Sequence, residues 1–268
     1  MIYHGLPFGG YLDLPGWNWS RIKHMTDSPR HVRHAADTPD VDTASRAWLR
    51  AVHCLVLEPA RLDEDFAVFD GTRRGRVYDS FVACNPGRTV LRPQDLASAM
   101  ETAAAIREHP VAAGLLAEGE AEVSMTWVDP STGLTCKGRA DWVGPRGLVD
   151  LKNLGSTSER AVSAAVARGQ YHGQLAHYVA GLEANGVEVP AAYLVVAEGR
   201  GAQDVAVFRL DAAPPDGALY AGHRLRERYL AQLAECVQSG RWPGRHEAVQ
   251  DLVLPNYALD EEIFTSEP

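Results

Sequence analysis

The stretch 134–154, LTCKGRADWVGPRGLVDLKNL, restricts the folds open to this chain more than any other segment. Two runs rich in strand-forming residues flank GPRG, a cluster of turn formers, so the segment reads as a β-hairpin. With GPRG as a four-residue loop, Val143 faces Leu148, Trp142 faces Val149, Asp141 faces Asp150 and Arg139 faces Lys152. Facing residues in an antiparallel pair lie about 5 Å apart on one face. Val149 and Leu151 then point to the other face, where a core would take them. Two carboxylates that close destabilise a bare sheet, and a hard divalent cation such as Mg²⁺ removes the repulsion. The alternative for the same residues is a solvated face with diagonal ion pairs, Asp141 to Lys152 and Arg139 to Asp150. A slip of one residue would break either arrangement.

The segments around the hairpin complete a fold class. AEVSMTWV (121–128) precedes it as a strand across the turn-rich DPSTG (129–133). Two helices follow, STSERAVSAAVARG and QYHGQLAHYVAGLEANG, the second closed by Asn185-Gly186. AAYLVVAEG (191–199) and DVAVFRL (204–210) return to strand, and 216–240 has the spacing of a long amphipathic helix. Upstream, Ser20 reads as the N-cap of a short helix in WNWSRIKHM, and a helix starting at Asp42 stops before Pro59. FAVFDG reads as a brief strand, and 92–110 as a helix bracketed by Pro93 and Pro110. The core order of helix, three meandering strands, helix and strand indicates one α/β domain over 1–268. Its parts are a mostly helical region to 110, a core at 119–210, and a C-terminal helix and tail at 216–268.

A net charge of −9 argues against a nucleic-acid partner unless the basic residues gather on one surface. They do cluster, at Arg21, Lys23, Arg30 and Arg33, and at Arg73, Arg74 and Arg76 in TRRGR. A solvated loop is the plain reading of each cluster until a site beside it supplies a reason for phosphate. No apolar run approaches the roughly 18 residues of a membrane span, and the first residues lack the features of a signal peptide, so a cytoplasmic protein is expected. Cys54, Cys84, Cys136 and Cys236 are too scattered for zinc or disulfide spacing and read as reduced thiols.

Asp141 together with Asp150-Leu151-Lys152 resembles the signature of the PD-(D/E)xK nuclease superfamily, whose restriction-endonuclease-like core has this same element order. QLAHY reproduces the Gln-x-x-x-Tyr of its RecB-like branch on Gln174 and Tyr178, which share one helix face. RAWLRAVHCLVLEPARLDEDFAV is similar to a segment of the RecE exonuclease family, in which a helix carries a metal-binding His. His53 holds that position, while Leu49 replaces the family's usual Gly. Alone, a His flanked by Leu49, Val52, Val56 and Leu57 is more often a core residue than a ligand. NWSRIKHMTDSPRHV, MTWVDPSTGLTCKGRADWV, YHGQLAHYVAGLE and SGRWPGRHEAVQDLVLP extend the likeness over about 15–265.

The resemblance implies a Mg²⁺-dependent exodeoxyribonuclease, with Mn²⁺ as a substitute, degrading linear duplex DNA 5′→3′ for a phage or prophage single-strand annealing protein. It implies metal binding by His53, Asp141, Asp150 and the Leu151 carbonyl, with Lys152 acting on the attacking water. Gln174, Tyr178, Arg139, Arg73, Arg74 and Arg76 would contact DNA, and Glu122 is a further candidate ligand whose register the sequence leaves ambiguous. Family members form rings around DNA, so a homo-oligomer is expected. The rival readings are a RecB-like repair or CRISPR-adaptation nuclease, and an inactive DNA-end-binding module of the same fold.

Overall fold

A computed structural model describes residues 1–38, 43–199 and 201–255. The first part of the chain runs β1 (Ile2–Tyr3), α1 (Phe8–Asp13), α2 (Trp19–Ile22), α3 (Pro29–Asp37) and α4 (Ala44–Leu57). Then come α5 (Leu62–Asp65), β2 (Phe66–Val68), α6 (Arg76–Ala83), β3 (Thr89–Leu91), α7 (Pro93–Glu108) and α8 (Pro110–Leu115). The second part runs β4 (Glu120–Val128), β5 (Thr135–Gly144), β6 (Gly147–Leu154), α9 (Glu159–Gly169) and α10 (Tyr171–Ala184). It closes with β7 (Ala192–Glu198), β8 (Val205–Leu210) and α11 (Ala218–Ser239). The fold is mixed α/β, built on a six-stranded sheet of order β1-β4-β5-β6-β7-β8, with β2 and β3 paired separately.

All ladders of the large sheet are antiparallel except β6–β7, where α9 and α10 make the crossover that a parallel pair requires. Each face of the sheet buries its own core. On one, Met125, Trp127, Leu194 and Val196 pack with Leu175 and Leu182 of α10 and Leu230 and Leu233 of α11. On the other, Val149, Leu151, Val195 and Ala197 pack with Val52 of α4 and Ala103 and Ile106 of α7.

The β4–β5 hairpin contributes to both cores, which a regular strand cannot do on one parity. Val123 and Ala140 pair and belong to the α10–α11 core, whereas Ala121 and Trp142, two residues further along, pair and belong to the α4–α7 side. Residues two apart in a regular strand share a face. The reversal falls between them, at Glu122 and Asp141. Glu122 has left-handed backbone (φ 53°), and no rung joins it to Asp141 although the register on either side is the same.

Several local expectations are corrected. The GPRG turn has two loop residues, Pro145 and Arg146, because Gly144 and Gly147 themselves pair. The N-cap before Trp19 is Asn18, whose Oδ1 accepts from the Arg21 N–H at 3.2 Å; Ser20 lies inside the helix. Thr43 caps α4 by accepting from the Arg46 N–H at 3.2 Å, and Asp42 lies outside the described residues. Pro110 ends α7 but also opens α8, where the His109 Nδ1 accepts from the Ala112 N–H at 3.2 Å.

Candidate active site

The β5–β6 ladder holds Trp142↔Val149, Val143↔Leu148 and Gly144↔Gly147, and stops there. The expected rungs Asp141↔Asp150 and Arg139↔Lys152 do not form, because β5 stays with β4 and β6 goes on along β7 to Leu154↔Glu198. The two strands part, and Asp141 spans the opening by accepting from the Leu151 N–H at 2.7 Å. The carboxylates are thus brought near one another by a split in the sheet rather than by a shared rung.

His53 enters the split from α4, Glu122 from β4 and Asp141 from β5. One ligand atom from each, an imidazole nitrogen and two carboxylate oxygens, all lie within 4.8 Å of one another. The His53 Nδ1 is 3.6 Å from Asp141 Oδ2, and the ring lies close to the Leu151 backbone. Burial holds His53 below its ordinary pKa, so it is a neutral donor at pH 7. Burial and the neighbouring Asp141 push Glu122 up against the pull of Arg139, and burial also raises Asp141. Buried carboxylates raised by desolvation, one of them further by its neighbour, are what a bound divalent cation relieves, and the donor set suits one. Glu122, left ambiguous by the sequence, completes this group; its left-handed backbone has no sequence signal, since glutamate seldom takes that conformation.

Asp150 stands beside this group but outside it. It is fully buried, ion-paired to Lys152, and accepts from the Gln174 Nε2 at 3.1 Å. Burial, with repulsion from Asp141, lifts its pKa to about 6 despite Lys152. Burial alone would lower Lys152, but Asp150 and Asp141 outweigh it and hold the ammonium above its ordinary value. Its Nζ also lies 4.8 Å from the centre of the Tyr171 ring.

Gln174 and Tyr178 face the sheet rather than solvent. Gln174 bridges Asp150 and the Tyr178 hydroxyl, which accepts from it at 3.0 Å. The Tyr178 ring lies over Gly138 of β5, where a Cβ would come within 2.9 Å of its Cδ1. A glycine in the strand interior thus lets an aromatic ring approach the backbone.

The arginines behave differently from one another. Arg139 is 9% exposed, pairs with Glu122 and donates to the Leu6 carbonyl and the Ser124 hydroxyl, so it braces the cluster from behind and does not reach outward. The expected pairing opposite Lys152 does not form. Arg73 is drawn to Asp95 at 3.6 Å, while Arg74 and Arg76 are exposed at the start of α6. Among the described residues no helix is long and apolar enough to cross a membrane.

A family described as a PDDEXK-like domain of unknown function (DUF3799) matches residues 19–253. No curated protein matches the chain. Among solved structures, a "Putative exonuclease" from Eubacterium rectale superposes with a TM-score of 0.62 over 96% of this chain and 99% of its own, at 15% identity. At that identity the likeness is one of fold. A second structure, SSO0001, covers 42% of this chain and 50% of its own at 19% identity, and its TM-score of 0.28 carries no argument.

Proposed function

Because the chain belongs to this family of PDDEXK-like domains, we propose that it is a divalent-metal-dependent nuclease that shortens linear duplex DNA from its ends. The observation that carries the reading is the set His53, Glu122 and Asp141 in the β5–β6 split, with the Asp150–Lys152 pair beside it. A cation bound there, Mg²⁺ or Mn²⁺, would supply a Lewis acid for the phosphodiester and make water a better nucleophile. Lys152 keeps its charge and stabilises negative charge developing on the phosphoryl oxygens. Asp150, tied by Lys152 and Gln174, fixes that ammonium beside the metal group. Gln174 and Tyr178 fix Asp150 in turn. Arg74 and Arg76 supply phosphate contacts.

The sequence likeness to RecE supports 5′→3′ polarity, a single-strand annealing partner, a phage or prophage setting in the bacterial cytoplasm, and a single domain. A homo-oligomer enclosing the duplex would let a chain of net charge −9 hold DNA, with a basic lining inside an acidic exterior. The test is digestion of linear duplex labelled at the 5′ or the 3′ end, with Mg²⁺ or EDTA, beside covalently closed plasmid. Release of 5′ label from linear DNA alone is expected, and Asp141→Ala, Asp150→Ala and Lys152→Ala should each abolish it. Release of 3′ label first would favour a RecB-like repair nuclease instead. Wild-type turnover in any of the three variants would sink the site.

A further inference from the structure

Strand β8 forms one edge of the large sheet, and among the described residues no strand pairs with its outer side. Edge strands are usually blunted by charge, proline or brevity, because free N–H and C=O groups recruit other chains. The first four residues of β8, Val205-Ala206-Val207-Phe208, have no such guard. Val205 and Val207 pack toward the α4–α7 core and Phe208 toward the α10–α11 core, and all four are half-buried. Apolar on both faces, β8 has the composition of an internal strand. Its one charge, Arg209, is exposed.

A complementary segment follows α11. Val249, Leu252, Val253 and Leu254 are 96%, 89%, 82% and 49% exposed, in a stretch outside helix and strand. Beyond Arg245 the sequence holds Glu247, Asp251, Asp260, Glu261, Glu262 and Glu267 and no Lys or Arg. Residues 249–254 match β8 in length, offer apolar side chains to both faces of a strand, and carry charge opposite to Arg209.

We propose that residues 249–254 of one copy add as a strand to the β8 edge of a second copy. The chain's own β8 could be met only by a fully straightened tail. Trp242 rests on Trp17 with ring centres 6.2 Å apart, the Pro243 carbonyl accepts from the Arg30 N–H at 3.1 Å, and Arg245 pairs with Asp27 at 2.7 Å. Trp17 in turn bridges Cys136 of β5 on the side away from β4, so this anchor lies two strand positions from β8 and three from a strand added outside it. Three strand spacings are about 14 Å. The four steps from Arg245 to Val249 span at most about 14 Å, and only on a straight path through the α10–α11 layer that covers that face.

The exchange deepens the self-association proposed above and does not depend on the nuclease chemistry. Sedimentation of the full chain at micromolar concentration tests it, comparing wild type with Leu252→Asp/Leu254→Asp. A labelled peptide of residues 247–256 serves as the probe of the vacated edge. The wild type should sediment as an oligomer and the double variant as a monomer with an unchanged melting midpoint, and the peptide should bind the variant. A variant that keeps the wild-type size, or fails to bind the peptide, overturns the exchange while leaving assembly standing. A monomeric wild type, or a variant whose melting midpoint falls, overturns it as well. Duplex digestion run in parallel reads the active site separately.

Discussion

Gly138→Ala should damage the active site from beneath without touching any reacting group. The new Cβ would stand 2.9 Å from Tyr178 Cδ1 and 3.2 Å from Cε1, about 0.5 Å short of the 3.4 Å where ordinary contact begins. The ring cannot yield alone, because its hydroxyl is bonded to Gln174, and Gln174 to Asp150. Overpacking of this kind costs about 1–3 kcal/mol, which for a chain of this size lowers Tm by roughly 2–4 °C per kcal/mol. Displacement passed along the Tyr178–Gln174–Asp150 chain should lower kcat by about 10²-fold, with metal dependence unchanged. Calorimetry and single-turnover digestion read the two effects. Adding Tyr178→Ala removes the clash, so stability losses should be well below additive while activity stays low. A Gly138→Ala protein that melts several degrees lower yet digests DNA at the wild-type rate would refute this role for the helix pair.

Three further outcomes follow from the geometry. Arg139→Met should weaken Mn²⁺ binding to the isolated protein by about 10–100-fold in titration calorimetry, as loss of a partner behind a ligand does; weaker DNA binding at unchanged metal affinity would instead assign Arg139 to a phosphate contact. His53→Ala should shift the activating Mg²⁺ concentration upward with the fold retained, and an insoluble protein with unchanged metal dependence would make His53 a packing residue. Burial holds His177 at about 3, so between there and 6.5 the unfolded chain takes up a proton that the folded one refuses, and stability is lost as pH falls through that window. At pH 5 the loss is about 2 kcal/mol. Asp150, held at about 6, works in the opposite sense from 3.8 upward, so the urea midpoints of wild type and His177→Phe at pH 5 and 7 must be compared; equal pH shifts in both would remove His177 from the account.

The core strands and their order were legible because DPSTG and GPRG punctuate them and their apolar residues follow one period. Register near the turn was legible as well, at Trp142↔Val149 and Val143↔Leu148. Extending it to Asp141 and Asp150 failed for a tertiary reason: β6 has a second neighbour, β7, and follows it away from β5. Glu122 could not be placed from the sequence, since the left-handed backbone that aims it belongs to the strand reversal and is not signalled by residue type. Very short elements such as β1 and β3 have too few residues to show any period, and α6 went unread because its eight residues begin at the last residue of TRRGR without a capping signal.

The reversal at Glu122 and Asp141 also bears on how the protein comes apart. Because one hairpin supplies side chains to the layers on both faces of the sheet, neither layer can melt without stripping the hairpin from the other. The two should therefore unfold as one cooperative unit, with the amides of β4 and β5 among the slowest to exchange. A cation seated at the reversal would then slow exchange in α4 and in α10 alike, although those helices lie on opposite sides of the sheet.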